Sequence, residues 1–130
     1  MRLLLDTNAL LWCLYQPDRL TADVRDAITD PNNDVYVSIV SGWEIAIKVS
    51  SGRLHAPRDV ATWLPSALFV HRFTSRSVEL RHVLAVEHLP RHHGDPFDRL
   101  LIAEAIADGL TIVTSDRVFA AYPVPIVRCW

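Results

Sequence analysis

Four carboxylates stand where strands of the chain are expected to end or the following helices to begin: Asp6, Glu44, Asp98 and Asp116. Asp6 and Asp116 directly follow short apolar runs, whereas Glu44 lies in the first turn of the helix expected after another strand. Carboxylates gathered at one edge of a sheet repel one another unless a cation neutralises them. Because oxygen ligands suit hard cations, the set predicts a site for Mg²⁺ or Mn²⁺ rather than for Zn²⁺.

Each of these acids also has a structural explanation, because acids at helix starts commonly serve as caps. Asp6 and Asp116 are suited to capping the helices that follow them. Asp95 is a natural cap for a further helix, which makes Asp98 a favourable first-turn acid on the helix dipole. Asp98 nevertheless heads the apolar face of that helix, which favours a buried position. The other residues on this face are Leu101, Ile102 and Ala105.

Glu44 also has a structural explanation. Ser41 and Glu44 match the S-x-x-E pattern of a capping box, and Lys48, four residues further on, is expected to pair with Glu44. A cap explains each acid when it is considered alone. It explains less well why all four acids are expected at the same edge of one sheet, where connecting loops and helix N-termini converge.

The elements that position these acids follow from the apolar pattern. The unalternated run Leu3 to Leu5 is typical of a strand covered on both faces, and such strands belong to parallel sheets flanked by helices. The chain therefore predicts an α/β fold, a three-layer α/β/α sandwich on a five-stranded parallel sheet. The predicted strands lie near residues 3–5, 35–39, 68–73, 110–114 and 124–127, and the predicted helices follow Asp6 and cover 22–28, 41–49, 59–64, 77–86 and 96–108.

Length and composition exclude several classes of protein. A chain of 130 residues fits one domain, residues 1–130, and its 50% hydrophobic content predicts a globular core. No apolar run approaches a membrane span, and the N-terminus lacks a signal-peptide core, so we expect a soluble cytoplasmic protein. Two cysteines form neither a disulfide framework nor a metal motif. The net charge of -2 provides no electrostatic argument for nucleic-acid binding.

Other motifs with known chemistry are weaker or absent. The chain has no glycine-rich loop of the kinds that bind nucleotide phosphates. His92 and His93 are adjacent in a predicted loop, where neighbouring side chains point in different directions. This spacing does not favour zinc, and we expect the two histidines to lie on the surface or to face RNA.

Four short motifs, in this order along the chain, resemble those of the PIN-domain nucleases, and more narrowly those of the VapC-type toxins of bacterial toxin–antitoxin pairs. The resemblance covers essentially the whole chain, and the third motif is the most specific. The motifs are Asp6, Thr7 and Asn8; Trp43, Glu44 and Ile45; the run HGDPFDRLLIAEA from His93 to Ala105; and Thr114, Ser115 and Asp116.

The resemblance implies a magnesium-dependent endoribonuclease that cleaves RNA. It also implies inhibition by a small VapB-type antitoxin encoded beside it, and commonly a homodimer. Asp95 lies close enough to Asp98 to be a second candidate for the third acidic position. The implied catalytic and metal-binding residues are Asp6, Glu44, Asp98 and Asp116, with Asn8, Ser115 and Asp95 in support.

Three other functions compete with this one. A phosphoacceptor signalling domain would need an acidic pair after the first strand and a lysine near the last. This chain has Asp6, Thr7 and Asn8 after the first strand and no lysine near the last. A haloacid-dehalogenase-like phosphatase would need a second aspartate two positions after Asp6, where Asn8 stands. The strongest rival is a PIN-like module that binds RNA or a partner without cutting, and the intact acidic set argues against it.

Overall fold

The computed structural model describes residues 1–130. It has the predicted α/β architecture, in which helices flank a sheet of five strands that are all parallel. From the N-terminus, the strands are β1 (Arg2–Leu5), β2 (Asp34–Ser38), β3 (Thr74–Arg76), β4 (Thr111–Thr114) and β5 (Ile126–Arg128).

Six α-helices lie between these strands, and cap residues mark the ends of two of them. The Thr21 side chain accepts a hydrogen bond from the Val24 N–H at the start of the second helix. Pro96 opens the last helix, and Gly109 closes it with a φ of 66°. None of the six is both long and apolar enough to cross a lipid bilayer. The helices are α1 (Thr7–Tyr15), α2 (Ala22–Thr29), α3 (Ile39–Ser50), α4 (Val60–Val70), α5 (Leu80–Ala85) and α6 (Pro96–Asp108).

Helices cover both faces of the sheet. The strands lie in the order β3-β2-β1-β4-β5, so β1 is the central strand. Successive side chains of a strand point to opposite faces. Leu3 and Leu5 accordingly pack in a core with α1, α2 and α4, whereas Leu4 packs in a second core with α6. This division confirms the predicted three-layer sandwich.

The prediction of a strand over residues 68–73 is wrong. Most of that segment is the end of α4, which runs to Val70, so the helix predicted over 59–64 is longer than expected. A short apolar run fits a strand or a buried helix equally well by its periodicity. The chain turns at Arg72, whose φ is 59°, and β3 begins only at Thr74.

Ion pairs fasten α5, α6 and β3 to one another. The Arg76 guanidinium of β3 contacts the buried Glu104 at 3.2 Å and also pairs with Asp108, both on α6. From α5, His82 Nε2 and Arg81 lie 2.9 Å and 2.7 Å from the two Asp108 oxygens. Burial raises the pKa of Asp108, but the hydrogen bonds from Arg81 and His82 outweigh it and lower that pKa overall. The network therefore fixes the position of α6, whose first turn carries one of the predicted acids.

The carboxyl ends of the two central strands lie side by side. Leu5 of β1 is paired with Val113 of β4. The next backbone N–H, that of Asp6, donates to the Val113 carbonyl at 3.0 Å. Asp6 therefore leaves β1 at the same edge at which Thr114 ends β4, as expected for parallel strands.

Candidate active site

Asp6 is held rigidly at the end of β1. Its Oδ1 accepts a hydrogen bond from the Ala9 N–H at 2.7 Å, which makes it the cap of α1, and its Oδ2 accepts one from the Thr114 hydroxyl at 2.6 Å. The residue is only 2% exposed. Burial raises the pKa of Asp6 to about 6, although the two hydrogen bonds oppose the change. A carboxyl group that is this deeply buried is more than a surface cap.

Thr114 links Asp6 to Asp116, and sequence reasoning missed this role. The Thr114 hydroxyl donates to Asp6 and accepts from the Asp116 N–H at 3.0 Å. Asp116 in turn caps a short 3₁₀ helix, because its Oδ1 accepts from the Val118 N–H at 2.9 Å. The available signal was the position of Thr114, which directly precedes Ser115 and Asp116 at the end of an apolar strand.

Asp95 and Asp98 have different surroundings. Asp95 caps α6, since its Oδ1 accepts from the N–H groups of Phe97 and Asp98 at 2.8 Å and 3.1 Å. Burial raises the pKa of Asp98 to about 7, and the charges of Asp95 and Asp6 add to the effect. The cap explanation thus applies to Asp95, while Asp98 extends toward the other acids.

Glu44 does not belong to a capping box. The cap of α3 is Ser38, whose hydroxyl accepts from the Val40 N–H at 3.1 Å, and Ser41 is buried within the helix. Glu44 Oε2 forms the expected pair with Lys48 at 3.0 Å. Its other oxygen, Oε1, is buried and has no hydrogen-bond partner. A buried carboxylate oxygen without a partner is costly, so it indicates a group that is satisfied by something outside the chain.

Of the two histidines expected on the surface or facing RNA, His93 lies in the site. His93 is half-buried, and its Nε2 is 3.0 Å from Asp98 Oδ2 and 2.8 Å from Asp116 Oδ2. His92 is exposed, as expected. Adjacent histidines do point in different directions, but this argument alone does not tell which of them faces inward. The available signal was that His93 lies two residues before the cap of α6.

The residues that converge here fit a divalent cation. We call Asp6, Glu44, Asp98 and Asp116 the acidic cluster. The charges of Asp6 and Glu44 both raise the pKa of Asp98, which places the three groups within electrostatic reach of one another. Carboxylates that are crowded, partly desolvated and in one case unpaired are stabilised by a hard cation, and their oxygens suit Mg²⁺ or Mn²⁺.

The two predicted supporting residues lie beside the cluster along the chain. Asn8 is in the first turn of α1 and its side chain is exposed. Ser115 is half-buried between Thr114 and Asp116. Both side chains are therefore at the correct edge of the sheet to meet a ligand from solvent.

Comparison with known proteins gives a match to a family model and a match to a relative. The model of the PIN domain family matches residues 3–125, a range that includes the whole acidic cluster. Ribonuclease VapC22 from Mycobacterium tuberculosis (strain ATCC 25618 / H37Rv) is 32% identical over 114 residues, which amount to 88% of this chain and 86% of the relative.

Solved structures share the fold at lower sequence identity. VapBC2 from Rickettsia felis, bound to a promoter DNA fragment, includes a chain that aligns with a TM-score of 0.74 and 18% identity over 98% of both chains. DNA-bound VapBC from Salmonella typhimurium gives a TM-score of 0.71 and 15% identity, covering 100% of this chain and 99% of the other. VapBC-5 from Mycobacterium tuberculosis gives a TM-score of 0.63 and 22% identity, covering 98% of both chains.

Proposed function

Because this chain belongs to the PIN-domain family, we propose that it is a metal-dependent endoribonuclease and the toxin of a toxin–antitoxin pair. It hydrolyses phosphodiester bonds of RNA in the cytoplasm, with Mg²⁺ or Mn²⁺ held by the acidic cluster. The observation that carries this proposal is the unpaired, buried Oε1 of Glu44 beside two carboxyl groups of raised pKa. Such an arrangement is stable in a folded protein when a cation completes it.

Each acid has a proposed role. Asp6 and Asp98 hold the ion, because they are the acids of the cluster whose pKa values are raised by burial and by the charges of neighbouring acids. Asp116 helps to hold a second ion or its water. Glu44 orients the attacking water or accepts its proton, since its Oε1 is free of other partners. A bound Mg²⁺ at this place would polarise the phosphate and make water more nucleophilic.

An acidic chain needs local attraction to bind RNA, because its net charge is -2. The N-termini of α1 and α6 lie at the same edge as the acidic cluster, where Asp6 and Asp95 cap them. The Asp6 and Asp95 carboxylates already occupy the N–H groups of Ala9, Phe97 and Asp98, so these helix ends offer a phosphate few free donors. The bound cation therefore supplies the attraction that the overall charge does not.

The proposal predicts that the purified protein cleaves RNA only in the presence of Mg²⁺ or Mn²⁺. The acids need a hard cation before they can accept a phosphate. The measurement is the fragmentation of total RNA with added metal, and again with excess chelator. Cleavage that chelator leaves undiminished would rule out the metal mechanism, and no cleavage under any condition would favour a binding module without activity.

Two exposed apolar surfaces are suited to binding protein partners. One surrounds a groove of about 380 Å³ between α3 and α4, where Ile39 and Phe69 are 51% and 84% exposed. The other lies on α5 and includes Leu80, Val83 and Leu84. Contiguous exposed apolar surface is typical of interaction sites. We assign these surfaces to a VapB-type antitoxin and to a second copy of the chain, because several related structures are VapBC complexes.

We expect the chain to co-purify with the product of a short neighbouring reading frame, and that product to restore growth to cells expressing the chain. Light scattering tests both partners at once, because a homodimer contributes two 14.7 kDa chains to the mass of the complex. A complex that contains one copy would exclude the homodimer. Persistent toxicity without co-purification would exclude the antitoxin.

A further inference from the structure

The ring of His93 lies between two acids of the cluster. Its Nε2 is 2.8 Å from Asp116 Oδ2 and 3.0 Å from Asp98 Oδ2. The three ligand atoms of this group lie within 4.8 Å of one another, a spacing at which all of them could hold a metal ion. Whether His93 is a metal ligand or a hydrogen-bond donor therefore depends on which ring nitrogen carries the proton.

The backbone settles the state of the ring. The Asp95 N–H donates to His93 Nδ1 at 3.1 Å, so Nδ1 is an acceptor and carries no proton. The ring proton is then on Nε2, which donates to Asp116 Oδ2 and has Asp98 Oδ2 at 3.0 Å. In this arrangement Nε2 has no lone pair to offer a metal ion.

The segment that carries His93 is tied to the body of the protein. The Tyr122 hydroxyl accepts hydrogen bonds from the backbone N–H groups of His92 and His93 at 3.1 Å and 2.8 Å. The Arg99 guanidinium donates to the carbonyls of Leu89 and Pro90 at 3.1 Å and 2.8 Å. The ring also packs edge-to-face on Phe119, with 5.8 Å between ring centroids. The position of the Nε2–H is thus built into the fold and is not an accident of a loose loop.

We propose that His93 is a positioning residue whose Nε2–H holds the Asp116 carboxylate beside Asp98 in the metal-free protein, and that this hydrogen bond breaks when a divalent cation binds the two acids. An N–H donor and a cation cannot occupy the space between the same two oxygens. The Nε2–H therefore competes with the cation, and the need to break its hydrogen bond weakens metal binding. This inference rests on the proposed function, because it assumes that the two acids bind metal.

The test compares Mg²⁺ affinity by calorimetry for the wild type, His93→Phe and His93→Gln, without RNA. Phenylalanine keeps the ring on Phe119 but removes the donor, so we expect about tenfold tighter Mg²⁺ binding, the equivalent of one net hydrogen bond. The same variant should melt at a lower temperature without metal. Glutamine carries an amide donor at similar reach and should restore wild-type values. His92→Phe changes the exposed neighbour and should alter neither measurement.

Nitrogen NMR of the histidine rings supplies a readout that is independent of affinity. We expect the His93 ring to carry its proton on Nε2 without metal, and its ring signals, but not those of His92, to change when Mg²⁺ is added. Unchanged or weaker Mg²⁺ binding by His93→Phe would overturn the inference while leaving the metal site intact. A wild-type protein that binds no divalent cation would overturn the proposed function and the inference with it.

Discussion

Asp98→Asn is expected to lower RNA cleavage by about 10²- to 10³-fold while the protein stays folded. Asparagine keeps the size of the side chain but removes an anionic oxygen from the acidic cluster, and a lost metal ligand removes several kcal/mol of transition-state stabilisation. Because burial and neighbouring charges raise the pKa of Asp98, the charged form is unfavourable in the metal-free protein. The metal-free variant should therefore melt at the same temperature as the wild type or slightly higher.

Asp95→Asn is the matched control, three residues away on the same helix. Asp95 acts through Oδ1, which caps α6, and asparagine caps a helix nearly as well. We expect this variant to keep most of its cleavage activity. Cleavage rate, Mg²⁺ affinity and melting temperature are measured for both variants. An active Asp98→Asn beside an inactive Asp95→Asn would show that the third acid of the site is Asp95.

Mg²⁺ should raise the melting temperature at pH 8 but not at pH 5. The pKa of Asp6 is about 6 and that of Asp98 about 7 in the metal-free protein, so both groups are largely protonated at pH 5 and must lose a proton to bind metal. At pH 8, a Mg²⁺ concentration 100 times the Kd contributes about 2.7 kcal/mol. Thermal unfolding at both pH values is the measurement, and an equal Mg²⁺ effect at pH 5 and pH 8 would exclude these two acids as ligands.

The same pKa values set the stability of the metal-free protein. A carboxyl group whose pKa is raised by folding stabilises the native state below its unfolded pKa, and this contribution is lost as the pH rises through the folded pKa. For Asp6 the pKa rises from 3.8 to about 6, so about 3 kcal/mol is lost between pH 4 and pH 6. Asp98 extends the decline toward pH 7. Asp6→Asn should lack its share of this decline, which isolates the effect from the opposite trend at Asp108.

The sequence predicts the centre of the fold well because its signals there are local. Three consecutive leucines are typical of a strand covered on both faces, and the run from Leu3 to Leu5 is indeed the central strand. Asp95, Pro96 and Gly109 predict both ends of α6 for the same reason, since caps act within one turn. The third strand was missed because β3 has only three residues, none of them strongly apolar, and its apolar neighbours belong to α4.

The site likewise has a part that the sequence predicts and a part that it does not. Strand ends and helix starts predict that four acids meet at one edge, and the structure brings them within electrostatic reach. Glu44, however, lies in the second turn of α3 and not in the first, because the helix begins at Ile39. The contacts of Thr114 and His93 depend on pairs of residues 108 and 23 positions apart in the chain, Thr114 with Asp6 and His93 with Asp116. No local pattern encodes such contacts. The choice between a cap and a ligand for Asp98 also depends on how deeply its side chain is buried. Periodicity indicates only that Asp98 lies on the apolar face of α6.

The pairing of β1 with β4 delays formation of the site until late in the synthesis of the chain. β1 is made first, yet one of its two partners, β4, is separated from it by more than a hundred residues. A contact between such distant segments forms only after the intervening chain has left the ribosome. The carboxylates of Asp6 and Asp116 therefore cannot meet on a short nascent chain. A partner that binds the completed chain has only to be present when β4 emerges, because no earlier fragment can assemble the site.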